Sequence, residues 1–201
     1  MIVHTLRPFF LYTYETAGIQ IIAPLKCGTR YLSSTEYTTR DSIDMFEMSD
    51  KIDISKSVYF VTRDPMKHLY SAFFTEIIST LKNYDTEDDW EVIFNMKLSH
   101  WGESTYKNLF ENWKLRKTIL WNIDFIDLTE LSSLLSKYDL DIPYDKTNYN
   151  FMNIYENPNE LTIDYVIEKL KALNPTKYFE MEKNAISERY FLYKLKNKIR
   201  K

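Results

Sequence analysis

The stretch GIQIIAPLKCGTRY, residues 18–31, decides how this 201-residue chain is read. Residues 19–23 (IQIIA) are a short apolar run entered from Gly18 and left at Pro24, the pattern of a buried strand. The following loop, Pro24-Leu25-Lys26-Cys27-Gly28-Thr29-Arg30, leads into residues 30–39 (RYLSSTEYTT), which read as a helix. Backbone N–H groups and the helix dipole at such a junction favour an anion, and glycine lets the backbone approach it while Lys26 adds a full charge. In physical terms the loop is a cradle for a phosphate or a sulfate. By spacing alone the same residues also suit a plain turn at Gly28 with Lys26 and Arg30 in solvent. A Walker A loop, GxxxxGK[ST], would need a glycine before the lysine and Ser or Thr after it, and this chain has neither, which disfavours an ordinary NTPase.

Residues 57–62 (SVYFVT) form a second β-branched and aromatic run that stops at Arg63-Asp64-Pro65. Asp64 suits an N-cap and Pro65 the first helical position. Leu69, Phe73, Ile77 and Leu81 then recur every fourth residue, as the inner stripe of a helix should. Arg63 ends the strand and Ser71 follows eight residues later, within the helix. Taken alone, this segment is also satisfied by a capped helix start in which Arg63 pairs with Asp64. Residues 87–97 and 104–116 read as helices, 118–127 (TILWNIDFID) as a third strand, and Thr129 opens a helical run to Tyr138. Residues 139–159 read as irregular, and 161–173 and 183–199 as helices. Alternating strands and helices predict an α/β fold, a central mainly parallel sheet flanked by helices, with ligands beyond the carboxyl ends of the strands. No linker, internal repeat or low-complexity tract divides the chain, so residues 1–201 are expected to form a single domain.

Composition narrows the function classes. Hydrophobic residues make up 44% and aromatics 16%, which excludes a largely disordered chain. The 26 Lys+Arg against 29 Asp+Glu leave a net charge of -3, arguing against a protein that coats nucleic acid or anionic membrane by overall charge. No apolar run approaches the ~20 residues of a membrane-spanning helix. The opening residues lack the order of a signal peptide, the single cysteine, Cys27, cannot pair within the chain, and Asn174-Pro175-Thr176 is a blocked sequon. Together these features lead us to expect a soluble, cytoplasmic protein with no thiolate-based zinc site. The chain holds only 3 glycines, where average usage of about 7% would give roughly 14, so each position asks for a reason.

The two strand-loop-helix junctions together resemble one enzyme family. Lys26-Cys27-Gly28-Thr29-Arg30-Tyr31 resembles the PKxGTTW-type 5′-phosphosulfate loop of sulfotransferases that use 3′-phosphoadenosine 5′-phosphosulfate (PAPS). Val61-Thr62-Arg63-Asp64-Pro65, continuing through Leu69-Tyr70-Ser71-Ala72, is similar to their 3′-phosphate motif, RDPxxRLxSxY. Within that family the resemblance is to the carbohydrate sulfotransferases of the heparan sulfate 2-O and chondroitin/dermatan type. Ser99-His100-Trp101 looks like their His-Trp segment without the Pro-Gln that usually follows, and residues 122–131 (NIDFIDLTEL) are similar to their DfIgrfEnL strand and turn. Asn148 and Tyr190-Phe191-Leu192-Tyr193 fit more weakly, and His68 stands where the family often has arginine.

The resemblance implies a P-loop-like sulfotransferase fold and transfer of a sulfuryl group from PAPS to a hydroxyl, that of a carbohydrate. It implies that Lys26 and the amides of Cys27, Gly28, Thr29 and Arg30 hold the 5′-phosphosulfate, that Tyr31 stacks on adenine, and that Arg63 and Ser71 bind the 3′-phosphate. Lys26 is the candidate to stabilise the leaving bridging oxygen. For the base, family members use a glutamate about twenty residues beyond the loop lysine, where Glu47 stands with Glu36, Asp41 and Asp44 nearby, or a histidine, here His100. No metal is implied. The alternatives are a PAPS-binding interaction module without catalysis and a phosphoryl-transfer enzyme with a degenerate P-loop. The familiar eukaryotic relatives are anchored Golgi proteins, and the lack of an anchor, a cysteine pair and a sequon suggests a bacterial or viral origin. The basic end, residues 194–201 (KLKNKIRK), reads as a solvated helix end or a surface for an acidic polymer. His68 is expected on a helix surface.

Overall fold

In the computed structural model, which describes residues 10–16, 18–24, 27, 32, 39–44, 52–81, 90, 94, 106, 122–140 and 161–199, the run at 19–23 is the centre of a five-stranded sheet. The strands are β1 (Phe10–Glu15), β2 (Ile19–Pro24), β3 (Thr39–Asp44), β4 (Ser57–Thr62) and β5 (Ile123–Asp127), in the order β3-β1-β2-β4-β5. Every residue of β2 is buried, as are the last five of β4, which is why both read as continuous apolar runs rather than alternating ones. The three strands expected from the sequence are the parallel part of the sheet: β2 pairs with β4 through Ile19↔Ser57 to Ile22↔Phe60, and β4 with β5 through Val58↔Ile123 to Thr62↔Asp127. Rings of Phe60 and Phe125 lie 5.5 Å apart across the second pair, and the Thr62 hydroxyl donates to the Ile126 carbonyl at 2.9 Å.

Two strands were not anticipated, and both run antiparallel. A tight turn, in which the Thr16 N–H donates to the Ile19 carbonyl at 3.0 Å, folds β1 onto β2 in register Leu11↔Pro24 to Glu15↔Gln20. β3 pairs with the other side of β1, from Phe10↔Asp44 to Glu15↔Thr39. Thr39, the last residue of the expected 30–39 helix, is therefore the first of an edge strand, whose charged sequence TRDSID suits an edge; Leu32 is helical as expected.

The chain divides into two compact units, one of Met1–Thr62, Asn108–Ile142 and Lys196–Lys201, the other of Arg63–Lys107 and Pro143–Leu195. The first holds the sheet and α2 (Leu131–Lys137), which follows a short 3-10 turn, Leu128–Glu130. Asp127 caps that turn by accepting from Thr129 N–H, while Glu130 reaches back to the Asp127 amide, a reciprocal pair that satisfies two orphan donors.

The second unit is built on α1 (Pro65–Leu81), α3 (Ile163–Leu173) and most of α4 (Pro175–Ile199). Phe73 and Ile77 of the expected stripe are fully buried with Phe74 and Ile78 beside them, and Phe73 stacks on Phe94 at 5.7 Å. α3 adds Val166, Ile167 and Leu170 to the same core. Asn174 ends one helix and starts the next: its N–H donates to the Leu170 carbonyl, and its side chain accepts from Lys177 N–H at 3.3 Å, with Pro175 at the first helical position. α4 thus starts at 175, eight residues before the helix expected at 183. Its buried residues, Tyr178, Met181, Ala185, Glu188 and Leu192, recur at intervals of three and four and form one inward face.

Candidate functional site

β2, β4 and β5 are parallel neighbours, so their carboxyl ends, Pro24, Thr62 and Asp127, lie along one edge of the sheet. At each end the chain turns at once. After β2 the Cys27 N–H donates back to the Pro24 carbonyl at 3.1 Å. After β4 come Arg63 and Asp64 and then α1; after β5 comes the capped 3-10 turn.

Cys27 is fully buried with a free thiol. Its amide, one of those expected to face an anion, donates instead to the Pro24 carbonyl. Lys26, Gly28, Thr29, Arg30, Tyr31, Glu47 and His100 lie outside the described residues, as does Glu36. Asp41 and Asp44 are in β3, opposite Thr13 and Phe10 of β1.

Arg63 and Ser71 are both half-buried, Arg63 ahead of α1 and Ser71 within it. Asp64 is the N-cap: one carboxylate oxygen accepts from Met66 N–H at 3.1 Å and Lys67 N–H at 3.2 Å. Its other oxygen accepts from Arg189 Nε at 2.8 Å, so a cation on α4 neutralises Asp64. In the plain reading of this segment Asp64 would pair with Arg63, and the structure gives Asp64 this distant arginine instead. The Arg63 N–H donates to the Tyr106 hydroxyl at 2.9 Å, and the Tyr106 N–H donates to Glu188 Oε2. The His68 ring packs 5.3 Å from the Tyr106 ring. His68 is therefore half-buried against an aromatic ring rather than on an open helix surface, because the first turn of α1 faces Tyr106. Tyr106, Glu188 and Arg189 are residues that sequence reasoning missed.

Two tyrosine pairs lie away from this turn. In the first unit the Tyr59 and Tyr138 hydroxyls are 2.9 Å apart. Burial, then the hydrogen bond to Tyr138, pushes Tyr59 up to about 12, while the bond from Tyr59 lowers Tyr138. In the second unit the Tyr178 hydroxyl donates to Glu182 and lies 3.2 Å from the Tyr70 hydroxyl, with Lys171 Nζ over its ring at 5.1 Å. Burial first, and then the Glu182 carboxylate, pushes Tyr178 well above the usual phenol range. Among the described residues no group of three or more His, Cys, Asp or Glu side chains is arranged to hold a metal ion, and no helix is long and apolar enough to cross a membrane.

The described elements define an α/β protein whose three parallel strands end along one edge of the sheet. No family model, curated protein or solved structure matches this chain.

Proposed function

We propose that the chain is a sulfotransferase that moves a sulfuryl group from PAPS to a hydroxyl, that of a carbohydrate. The observation that carries this reading is the parallel register of β2 and β4, which aligns the ends of the two strands that run into the two motifs. A 5′-phosphosulfate loop and a 3′-phosphate motif need that order and that common edge.

Lys26 and the amides from Gly28 to Arg30 would hold the 5′-phosphosulfate, Tyr31 would stack on adenine, and Arg63 with Ser71 would take the 3′-phosphate, the guanidinium by two parallel bonds. Transfer breaks the bond between sulfur and the bridging oxygen and forms one between sulfur and the acceptor oxygen. Lys26 would stabilise the charge left on the bridging oxygen, and Glu47 or His100 would take the hydroxyl proton. Arg189 contributes indirectly: by pairing with Asp64 it offsets the charge of the carboxylate that stands next to Arg63 in the turn. The departures at His68 and after Trp101 favour one second reading, a module that binds the nucleotide without turnover.

Calorimetry with adenosine 3′,5′-bisphosphate, ATP and GTP tests the reading. Preference for the bisphosphate is expected, and its absence refutes both readings. Release of bisphosphate from PAPS with a panel of glycans then separates the enzyme from the binding module. Glu47→Gln should keep binding and lose turnover; unaltered turnover moves the proton acceptor to His100.

A further inference from the structure

Tyr106, only 1% exposed, is held from three directions within the second unit. Its amide donates to Glu188, its ring packs on His68, and its hydroxyl accepts the Arg63 N–H. Glu188 is the one charged side chain buried among the described residues. Burying a carboxylate is costly unless it is hydrogen-bonded. It stands on the face of α4 otherwise formed by Tyr178, Met181, Ala185 and Leu192. What Glu188 does hold is the Tyr106 backbone, and so the place of the hydroxyl that meets Arg63.

The Arg63 amide is the joint between strand and helix. β4 ends at Thr62, Asp64 precedes a proline and is biased to extended backbone, and α1 starts at Pro65. Fixing the Arg63 N–H fixes the peptide plane from which the Arg63 side chain departs. A long guanidinium arm magnifies a small rotation of that plane, and a misplacement of order 1 Å is costly for oriented contacts.

We propose that Tyr106 is a positioning residue that aims the Arg63 guanidinium at the 3′-phosphate of the bound nucleotide, with Glu188 holding Tyr106 in place. The proposal rests on the PAPS-binding reading above. It needs the phenol oxygen itself: phenylalanine fills the same space and accepts nothing.

The test is calorimetric titration of the full chain with adenosine 3′,5′-bisphosphate and with adenosine 5′-monophosphate, which lacks the 3′-phosphate. Tyr106→Phe is expected to weaken the bisphosphate about fivefold, the equivalent of one hydrogen bond, and to leave the monophosphate within about twofold. In an Arg63→Ala background the same substitution should have no further effect. Equal weakening of both ligands, no weakening of either, or an unchanged loss without Arg63 overturns the positioning role. If the wild-type chain does not bind the bisphosphate, the PAPS reading itself fails and the proposal falls with it, a result distinct from a wild type that binds and a Tyr106→Phe that matches it. Should Tyr106→Phe not fold, Glu188 carries the comparison: Glu188→Gln keeps an acceptor and should bind like wild type, whereas Glu188→Leu should lose bisphosphate affinity selectively. Identical behaviour of those two variants overturns the proposal.

Discussion

Replacing Asp64 by alanine removes two kinds of interaction at once, and their magnitudes differ enough to be told apart. One carboxylate oxygen caps α1 through the Met66 and Lys67 amides at 3.1 and 3.2 Å. Loss of such a cap costs roughly 0.5–2 kcal/mol, typically near 1. The ion pair with Arg189 is short at 2.8 Å, but the two side chains are 55% and 30% exposed. A pair that open to water is worth about 0.2–1 kcal/mol. Asp64→Ala should therefore destabilise by about 1.5 kcal/mol, with the cap the larger share. Asp64→Asn keeps an N-cap oxygen and gives up only the charge, so it should cost about 0.5 kcal/mol, as should Arg189→Gln. Urea unfolding followed by circular dichroism reads all three. A loss in Asp64→Asn as large as in Asp64→Ala would refute the argument, because the charge pair rather than the cap would then hold the turn.

Further outcomes follow from the first unit. Gln20 is fully buried in β2, accepts from Asp53 N–H at 2.9 Å and donates to Glu15 at 2.8 Å. Gln20→Leu, which leaves that amide unanswered, should cost roughly 1–3 kcal/mol in urea unfolding, and a neutral result would contradict the bonding described. Burial first, and then the hydrogen bond to Tyr138, push the Tyr59 phenol up to about 12 from an ordinary 10.0. A raised folded pKa gives stability that is complete below the unfolded value and lost as pH rises through the folded one, so alkaline unfolding should steepen between these limits. Tyr59→Phe should remove that steepening, and an unchanged alkaline limb would show that another group causes it. Asp53 is held below the ordinary carboxylate range by hydrogen bonds from Ser55 first and the Lys56 charge after. Its contribution should be present above the unfolded value and fade as pH falls, so Asp53→Asn should flatten the acid limb of a stability profile, and an acid limb as steep as wild type would contradict it.

The parallel half of the sheet is legible in the sequence because strands buried on both faces leave continuous apolar runs, as 19–23 and 57–62 do. β3 is not, since TRDSID carries only Ile43 as an apolar residue and is paired to β1 through its backbone. β1 did leave a signal: FLYTYE is rich in strand-forming residues and is followed by a turn at Gly18 and a second strand. Asn174-Pro175 carries the same cap-and-proline signature that marks Asp64-Pro65, yet it draws attention first as a blocked sequon, so the start of α4 goes unread. Gly18 sits in the β1–β2 turn with open space where a Cβ would lie, so its scarcity value is local at most.

At the candidate site the two residues next to the chemistry in sequence, Arg63 and Asp64, were legible from their motif. Their supports were not, because Tyr106 is 43 residues from Arg63 and Arg189 is 125 from Asp64. One clue was available: a glutamate at position 188 within an apolar stripe at helical spacing, 178, 181, 185 and 192, marks a buried charge that must have a partner.

Whether this chain is built to bind PAPS is read most simply from the affinity of adenosine 3′,5′-bisphosphate for the wild-type chain and for a Lys26→Ala, Arg63→Ala double variant, each titrated by calorimetry. Binding by the wild type, in preference to ATP and GTP, and its loss in the double variant are expected. No binding by the wild type, or equal binding by both, would contradict the PAPS reading.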